Sequence, residues 1–98
     1  MAINDKQKRY LKSLAHPIKP VVMIGNKGLT ETVLVEIEIA LAHHELIKVR
    51  VSGQEKAEQA EMIQAIALKT SSNVVMIIGH IGVFYRAAKE PKIQLPKK

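Results

Sequence analysis

The residues of this chain best suited to holding a ligand are Gly25, Asn26, Lys27 and Gly28. They stand between an apolar run, Val21-Val22-Met23-Ile24, and a long helical pattern that begins near Thr30. Glycines on both sides of Asn26 and Lys27 permit positive φ and leave no Cβ to hold a ligand away, so backbone amides can face outward. The first amides of the following helix lack intrahelical partners and carry the positive end of its macrodipole. The corner could therefore hold a phosphate, with Lys27 at its tip. Taken alone, a G-x-x-G leans toward turn geometry. Glu31, in the first helical turn, satisfies the same terminus and repels an anion.

Other chemistry is poorly supplied. His16, His43, His44 and His80 are the only imidazoles and there is no cysteine, which excludes disulfides and a thiol nucleophile. His43 and His44 point about 100° apart on a helix, so they cannot share a metal as an i, i+4 pair could. The apolar stripe claims His44 as a packed residue at the helix end and leaves His43 in solvent. Glu36 and Glu38 fall on different helical faces, while Glu55, Glu58 and Glu61 read as a solvated face. A G-x-x-x-x-G-K-[ST] loop is absent, and Gly79-His80-Ile81-Gly82 lies between strands, where it serves a hairpin. The expectation is a binder: no enzyme, no cofactor, no metal and no small-molecule substrate.

What it binds is indicated by charge. Residues 1–30 hold six cations (Lys6, Lys8, Arg9, Lys12, Lys19, Lys27) against Asp5, and residues 69–98 hold six (Lys69, Arg86, Lys89, Lys92, Lys97, Lys98) against Glu90. The middle is acidic, with Lys48, Arg50 and Lys56 against Glu31, Glu36, Glu38, Glu45, Glu55, Glu58 and Glu61. If the fold gathers the two basic ends, the molecule has a polyanion-facing surface; solvated lysines serving solubility are the plainer reading.

The elements that must position these groups follow from periodicity. The 98 residues make one domain with a single core. Asn4 with Gln7 predicts a capping box, opening a short helix with Tyr10, Leu11 and Leu14 on one face and Lys8, Arg9 and Lys12 on the other. Pro17 and Pro20 end it, and a strand follows. From Thr30 to His44, Val33, Ile37 and Leu41 with Leu34 and Ala40 make a helical stripe; Val35 and Ile39 form a second face that predicts another contact. Leu46 to Val51 alternates as a half-buried strand. Ser52-Gly53-Gln54-Glu55 predicts a second capping box, opening a helix to about Thr70 with Ala60, Ile63 and Ala67 inward. Val74 to Ile78 reads as a buried strand that pairs through a hairpin with Val83 to Arg86. Residues 89–98, with two prolines and four lysines among them, predict a basic, mobile tail beyond a domain of residues 1–88. The fold class is therefore α/β, in the order αβαβαββ, with a four-stranded mixed sheet and three helices. No apolar run is long enough to span a bilayer, and the polar Met1 to Lys6 has no signal-peptide core, so a cytoplasmic protein without a membrane role is expected.

With strand, Gly25-Asn26-Lys27-Gly28, Leu29-Thr30-Glu31 and helix in place, the chain resembles the CRM domain, the chloroplast RNA splicing and ribosome maturation family, and its stand-alone bacterial YhbY-type members. Further matching stretches are Tyr10 to Pro17 with Lys19-Pro20, His43-His44-Glu45-Leu46-Ile47-Lys48-Val49, and Ile78-Gly79 through Phe84-Tyr85-Arg86. The resemblance implies a fold like the C-terminal domain of translation initiation factor three and an RNA-contacting loop, analogous to that of KH domains, at Gly25, Asn26, Lys27 and Gly28. It also implies a basic surface beside the loop, here Lys8, Arg9, Lys12, Lys19 and Arg86, and ribosomal RNA in large-subunit precursors as partner of a monomeric protein. Few aromatics are present, which favours recognition of backbone and RNA shape over bases. The rival expectation is a protein-interaction adaptor using Glu36, Glu38, Glu58 and Glu61.

Overall fold

The computed structural model describes residues 3–52 and 55–97. Helix α1 (Asp5–Ala15) opens on the expected capping box. The Gln7 amide donates to Asn4 Oδ1 at 2.8 Å, and the Asn4 amide donates to Gln7 Oε1 at 3.0 Å. Strand β1 (Val22–Ile24), helix α2 (Glu31–His44), strand β2 (Leu46–Val51), helix α3 (Lys56–Thr70) and strands β3 (Asn73–Ile78) and β4 (Ile81–Tyr85) follow, in the order αβαβαββ.

The second capping box does not form. The residue capping α3 is Glu55, which makes no side-chain cap bond. Ser52 instead donates from its amide at 3.0 Å and from its hydroxyl at 3.2 Å to the Ile24 carbonyl, closing the end of the β1–β2 pair. Its hydroxyl is thus committed to the sheet; Gly53 and Gln54 lie outside the described residues.

The strands run in the order β1-β2-β4-β3. β1 is parallel to β2 through the α2 crossover, and the other pairs are antiparallel. Alternation along each strand gives the sheet two different faces. On one, Ile24, Ile47, Val49, Val51 and Phe84 pack against Ile37 and Leu41 of α2 and Ile63 and Ile66 of α3. On the other, Leu46, Val75, Val83 and Tyr85 pack against Leu11 and Ala15 of α1. Each such buried aliphatic or aromatic side chain contributes about 1.5–3 kcal/mol relative to exposure.

Gly79 and His80 alone connect β3 to β4, with Ile78 paired to Ile81 and Gly79 at φ +56°. A two-residue hairpin with glycine at its first central position matches the sheet's twist. Gly82 is therefore not part of the turn. It lies within β4, where an added Cβ would come within 3.0 Å of the Phe84 ring and 3.1 Å of Ile63.

The segment after β4, expected as a mobile tail, lies against the sheet. Ala87, Ile93 and Leu95 pack on the α1 side of the sheet, and the Gln7 side-chain amide donates to the Pro96 carbonyl at 3.1 Å. Glu45 anchors this strap. Its backbone sits at φ +64°, ending α2, and its buried carboxylate accepts from the amides of Ala88 (3.0 Å), Lys92 (2.7 Å) and Ile93 (3.1 Å). Burial alone would raise the Glu45 carboxyl, but those three amides and the Lys92 charge outweigh it and hold it below its ordinary value. Burial, and then the Glu45 charge, pushes the neighbouring Tyr85 hydroxyl up. Prolines and lysines give the segment a disordered composition; a buried carboxylate distant in sequence meets it with three hydrogen bonds.

Other expectations change as well. Only Val75 of β3, expected as a buried strand, is buried, and Ala60 and Tyr10, expected on packed faces, are exposed. Val35 and Ile39 do not meet another element and remain 56% and 55% exposed. His44 is exposed at the end of α2, beside His43, and borders a groove with Leu14, Ile18 and Ile93. No helix among the described residues is long and apolar enough to cross a membrane.

Candidate nucleic-acid interface

The loop between β1 and α2 is a hydrogen-bonded turn: the Gly28 amide donates to the Gly25 carbonyl at 3.0 Å, and Gly25, Asn26 and Lys27 are exposed. Its two glycines are not equivalent. Gly28 has φ +74°, which a side chain would strain. Gly25 lies outside the left-handed region, and a Cβ added there would meet nothing within 4 Å. Nothing in the protein demands a glycine at Gly25, so its bareness is available to whatever approaches from outside. Behind the turn, Thr30 caps α2 by accepting the Val33 amide at 3.2 Å, which satisfies one of the terminal donors and leaves the first amides of the helix to the solvent side.

Strand register fixes where the loop sits. Ile24 pairs with Val51, and Arg50 of β2 pairs with Ile81 of β4, so the loop shares one end of the sheet with the β3–β4 hairpin. Lys8, Arg9 and Lys12 line a shallow groove with Asp5 on α1. Leu11 and Ala15 face the sheet, so helical geometry puts Lys8 and Lys12 about 60° and 100° to one side of Leu11 and Gln7 and Leu14 on the opposite side. Gln7 and Leu14 touch the C-terminal strap, which follows β4 at the end of the sheet away from the loop. The Lys8–Lys12 flank consequently faces the loop end.

The other two nominated cations are elsewhere. Lys19 borders the groove of Leu14, Ile18 and His44, six residues and at most roughly 20 Å of extended chain from Gly25. Arg86 emerges on the α2/α3 side at the far end of the sheet. Its guanidinium donates to Glu38 Oε2 at 2.7 Å and to the Thr70 carbonyl at 2.9 Å. Arg86, nominated as an RNA-facing cation, thus bridges α2 and the end of α3. Pairing partners so distant in sequence leave no local signal.

Arg50 is the basic residue that sequence reasoning passed over. Its alternation with buried Ile47, Val49 and Val51 marks it as outward-facing, and it is exposed, on the α1 side. Lys48, on the same side, is buried beneath α1 and donates to the His16 carbonyl at 3.5 Å. Phe84 and Tyr85 are buried, so neither offers a stacking surface.

The charge segregation of the sequence becomes a segregation between layers. α1 and the strap, carrying Lys6, Lys8, Arg9, Lys12, Lys89, Lys92 and Lys97 against Asp5 and Glu90, share one side of the sheet; α2 and α3, with Glu31, Glu36, Glu38, Glu58 and Glu61 against Lys56 and Lys69, cover the other. Among the described residues, no group of three or more histidine, cysteine, aspartate or glutamate side chains could hold a metal ion.

These features define a small α/β domain with a layered charge distribution and an exposed G-x-x-G turn at one sheet end. Residues 3–86 match the CRS1 / YhbY (CRM) domain, and the chain belongs to that family. A Haemophilus influenzae relative named an RNA-binding protein is 54% identical over 96 residues, covering 98% of this chain and 97% of the relative. The Bacillus subtilis protein YqeI, named a probable RNA-binding protein, is 35% identical over 95 residues, or 96% of this chain and 99% of YqeI. The solution structure of the Staphylococcus aureus protein SAV1595, described as a candidate RNA binder, superposes with a TM-score of 0.84 at 38% identity, covering 97% of this chain and all of that one.

Proposed function

We propose that this protein binds RNA by seating a phosphate at the Gly25–Gly28 turn and laying the Lys8, Arg9 and Lys12 flank of α1 along the neighbouring backbone. The observation that carries this reading is the open space at Gly25 next to exposed Lys27, on the sheet end that the basic flank of α1 faces. Coulombic attraction supplies affinity, and the close approach of backbone at the turn fixes position. Names of relatives support RNA as the ligand. The family resemblance favours ribosomal RNA in large-subunit precursors, with the protein acting as a cytoplasmic monomer, without catalysis.

Lys27→Ala tests the turn. The variant should bind an unstructured RNA oligonucleotide more weakly, with the slope of log affinity against log salt shallower by about 0.7, the amount expected for one phosphate no longer neutralised. A folded variant with unchanged affinity and slope would remove the turn from the interface. A second reading rests on exposed Val35 and Ile39 beside Glu36 on α2, which offer a protein partner an apolar stripe with an acidic border. Retained association with pre-ribosomal particles after RNase treatment would favour it.

A further inference from the structure

α1 leaves part of its side of the sheet uncovered. It packs over the rows containing Leu46 with Tyr85 and Lys48 with Val83 and Met76, and stops short of the next row toward the loop. That row crosses all four strands. Met23 pairs with Arg50, Arg50 with Ile81, and Ile81 with Ile78, so the four side chains share one side. Met23 is 69% exposed, Ile78 is 44% exposed, Arg50 is exposed and Ile81 is half-buried. Arg50 has no ion pair among the described residues. Met23 lies two residues before Gly25, and the Lys8–Lys12 flank of α1 borders the row on its other side.

An apolar strip on a sheet normally attracts a cover, and the chemistry of its border says which cover fits. Lys27 at one corner, Arg50 within the strip and Lys8, Arg9 and Lys12 along its edge make an acidic polymer the complementary partner, while Met23, Ile81 and Ile78 ask for flat or apolar groups. Unpaired nucleotides combine the two. A duplex hides its base faces inside and offers this row phosphate, ribose and base edges but no face to stack on. We infer that the Met23–Arg50–Ile81–Ile78 row receives the unpaired bases of the RNA strand whose phosphate the Gly25–Gly28 turn holds. The Arg50 guanidinium plane stacks on a base where the chain has no exposed aromatic at the site, and the Met23 thioether and Ile78 pack against its neighbours. The protein thereby selects single-stranded or loop RNA over helix. This assignment rests on the RNA-binding reading and adds the class of RNA and the residues that distinguish it.

The test compares a mixed-sequence unstructured RNA oligonucleotide with the same strand annealed to its complement, at several salt concentrations. All the row positions but Ile81 are well exposed, so substitutions there leave the fold intact, which circular dichroism verifies. Arg50→Lys keeps the charge and removes the plane, and Met23→Ala removes the thioether. Each should weaken binding of the single strand about fivefold or more, within the range for removing the support of one stacked base, with the salt slope preserved. Binding of the duplex should not change. If both variants bind the single strand like the parent while Lys27→Ala does not, the row is no base seat and the turn hypothesis stands. If the parent protein prefers duplex, or Arg50→Lys weakens both forms equally, the assignment is overturned. If parent and Lys27→Ala bind neither RNA, the RNA-binding reading itself is lost.

Discussion

The two sides of the sheet are built to different standards of closure. Beneath α2 and α3 the centre of the sheet is sealed: Ile47, Val49, Val51 and Phe84 are fully buried, even Gly82 has no room for a methyl group, and exposure among the described strand residues is confined to Ile77 at the β3 edge, 47% exposed. Beneath α1 the cover is partial, and a long C-terminal strap has to complete it. The sealed side carries the acidic helices and the open side the basic helix α1 and the strap. An uncovered strip costs apolar burial, at about 25 cal/mol per Å² left in water. That cost falls on the side whose charge suits RNA, which teaches that stability in this domain is concentrated on one side and exposed chemistry on the other.

The strap is where this comparison can be broken most severely, because it makes the open side dependent on one carboxylate. Glu45→Gln keeps the size of the side chain but loses the charge that three amides converge on. It should cost about 2–3 kcal/mol, the order expected when buried donors lose a charged acceptor. Denaturant unfolding measures the loss, and hydrogen exchange at Ala88, Lys92 and Ile93 shows whether the strap is the part released. Acid should do the same. The folded Glu45 carboxyl lies below its ordinary value, so the stability it confers is full above the unfolded value of about 4.3 and is lost as pH falls from there through the lower folded value. Strap amides that stay protected through that window would show that Glu45 is not the anchor.

The sealed side can be tested by overfilling it. In Gly82→Ala the new methyl meets the Phe84 ring at 3.0 Å and Ile63 at 3.1 Å, both buried and unable to swing away. A loss of about 1–3 kcal/mol is expected from overpacking, with RNA affinity of the folded protein unchanged. Arg86→Gln probes the same side at its rim. Arg86 is 26% exposed and its partner Glu38 45%, so their ion pair is worth less than about 1 kcal/mol. RNA affinity and its salt slope should match the parent's. A shallower slope in Arg86→Gln would return this residue to the interface and extend the basic surface around the molecule.

Element order was legible because length and periodicity agree for α2, β2 and β3, and because Asn4 with Gln7 is a cap of ordinary local chemistry. The G-x-x-G turn was legible as a turn. What local pattern could not carry was partnership at long range. Glu45 looks like one more acid in an acidic stretch until three amides from residues 88–93 reach it. Arg86 reads as a basic residue near a basic terminus until Glu38 and Thr70 claim it. Arg50 was visible in the alternation of β2, yet its significance depends on α1 stopping one row short, a fact of packing.

The finest test of the contrast is a substitution expected to cost no stability at all. Gly25 and Gly28 look interchangeable in sequence, but Gly28 needs its positive φ, while Gly25 has neither a strained backbone nor a neighbour within 4 Å of an added Cβ. Gly25→Ala should therefore unfold at the same denaturant midpoint as the parent, or slightly above it, since alanine restricts the unfolded chain more than glycine does. If the turn receives a phosphate at close quarters, the same methyl group should lower RNA affinity severalfold by holding the ligand off, without the change in salt slope that Lys27→Ala produces. A Gly25→Ala protein with parental stability and parental affinity would mean that the open space beside Gly25 faces only water, and the phosphate seat would then have to be sought on the flank of α1.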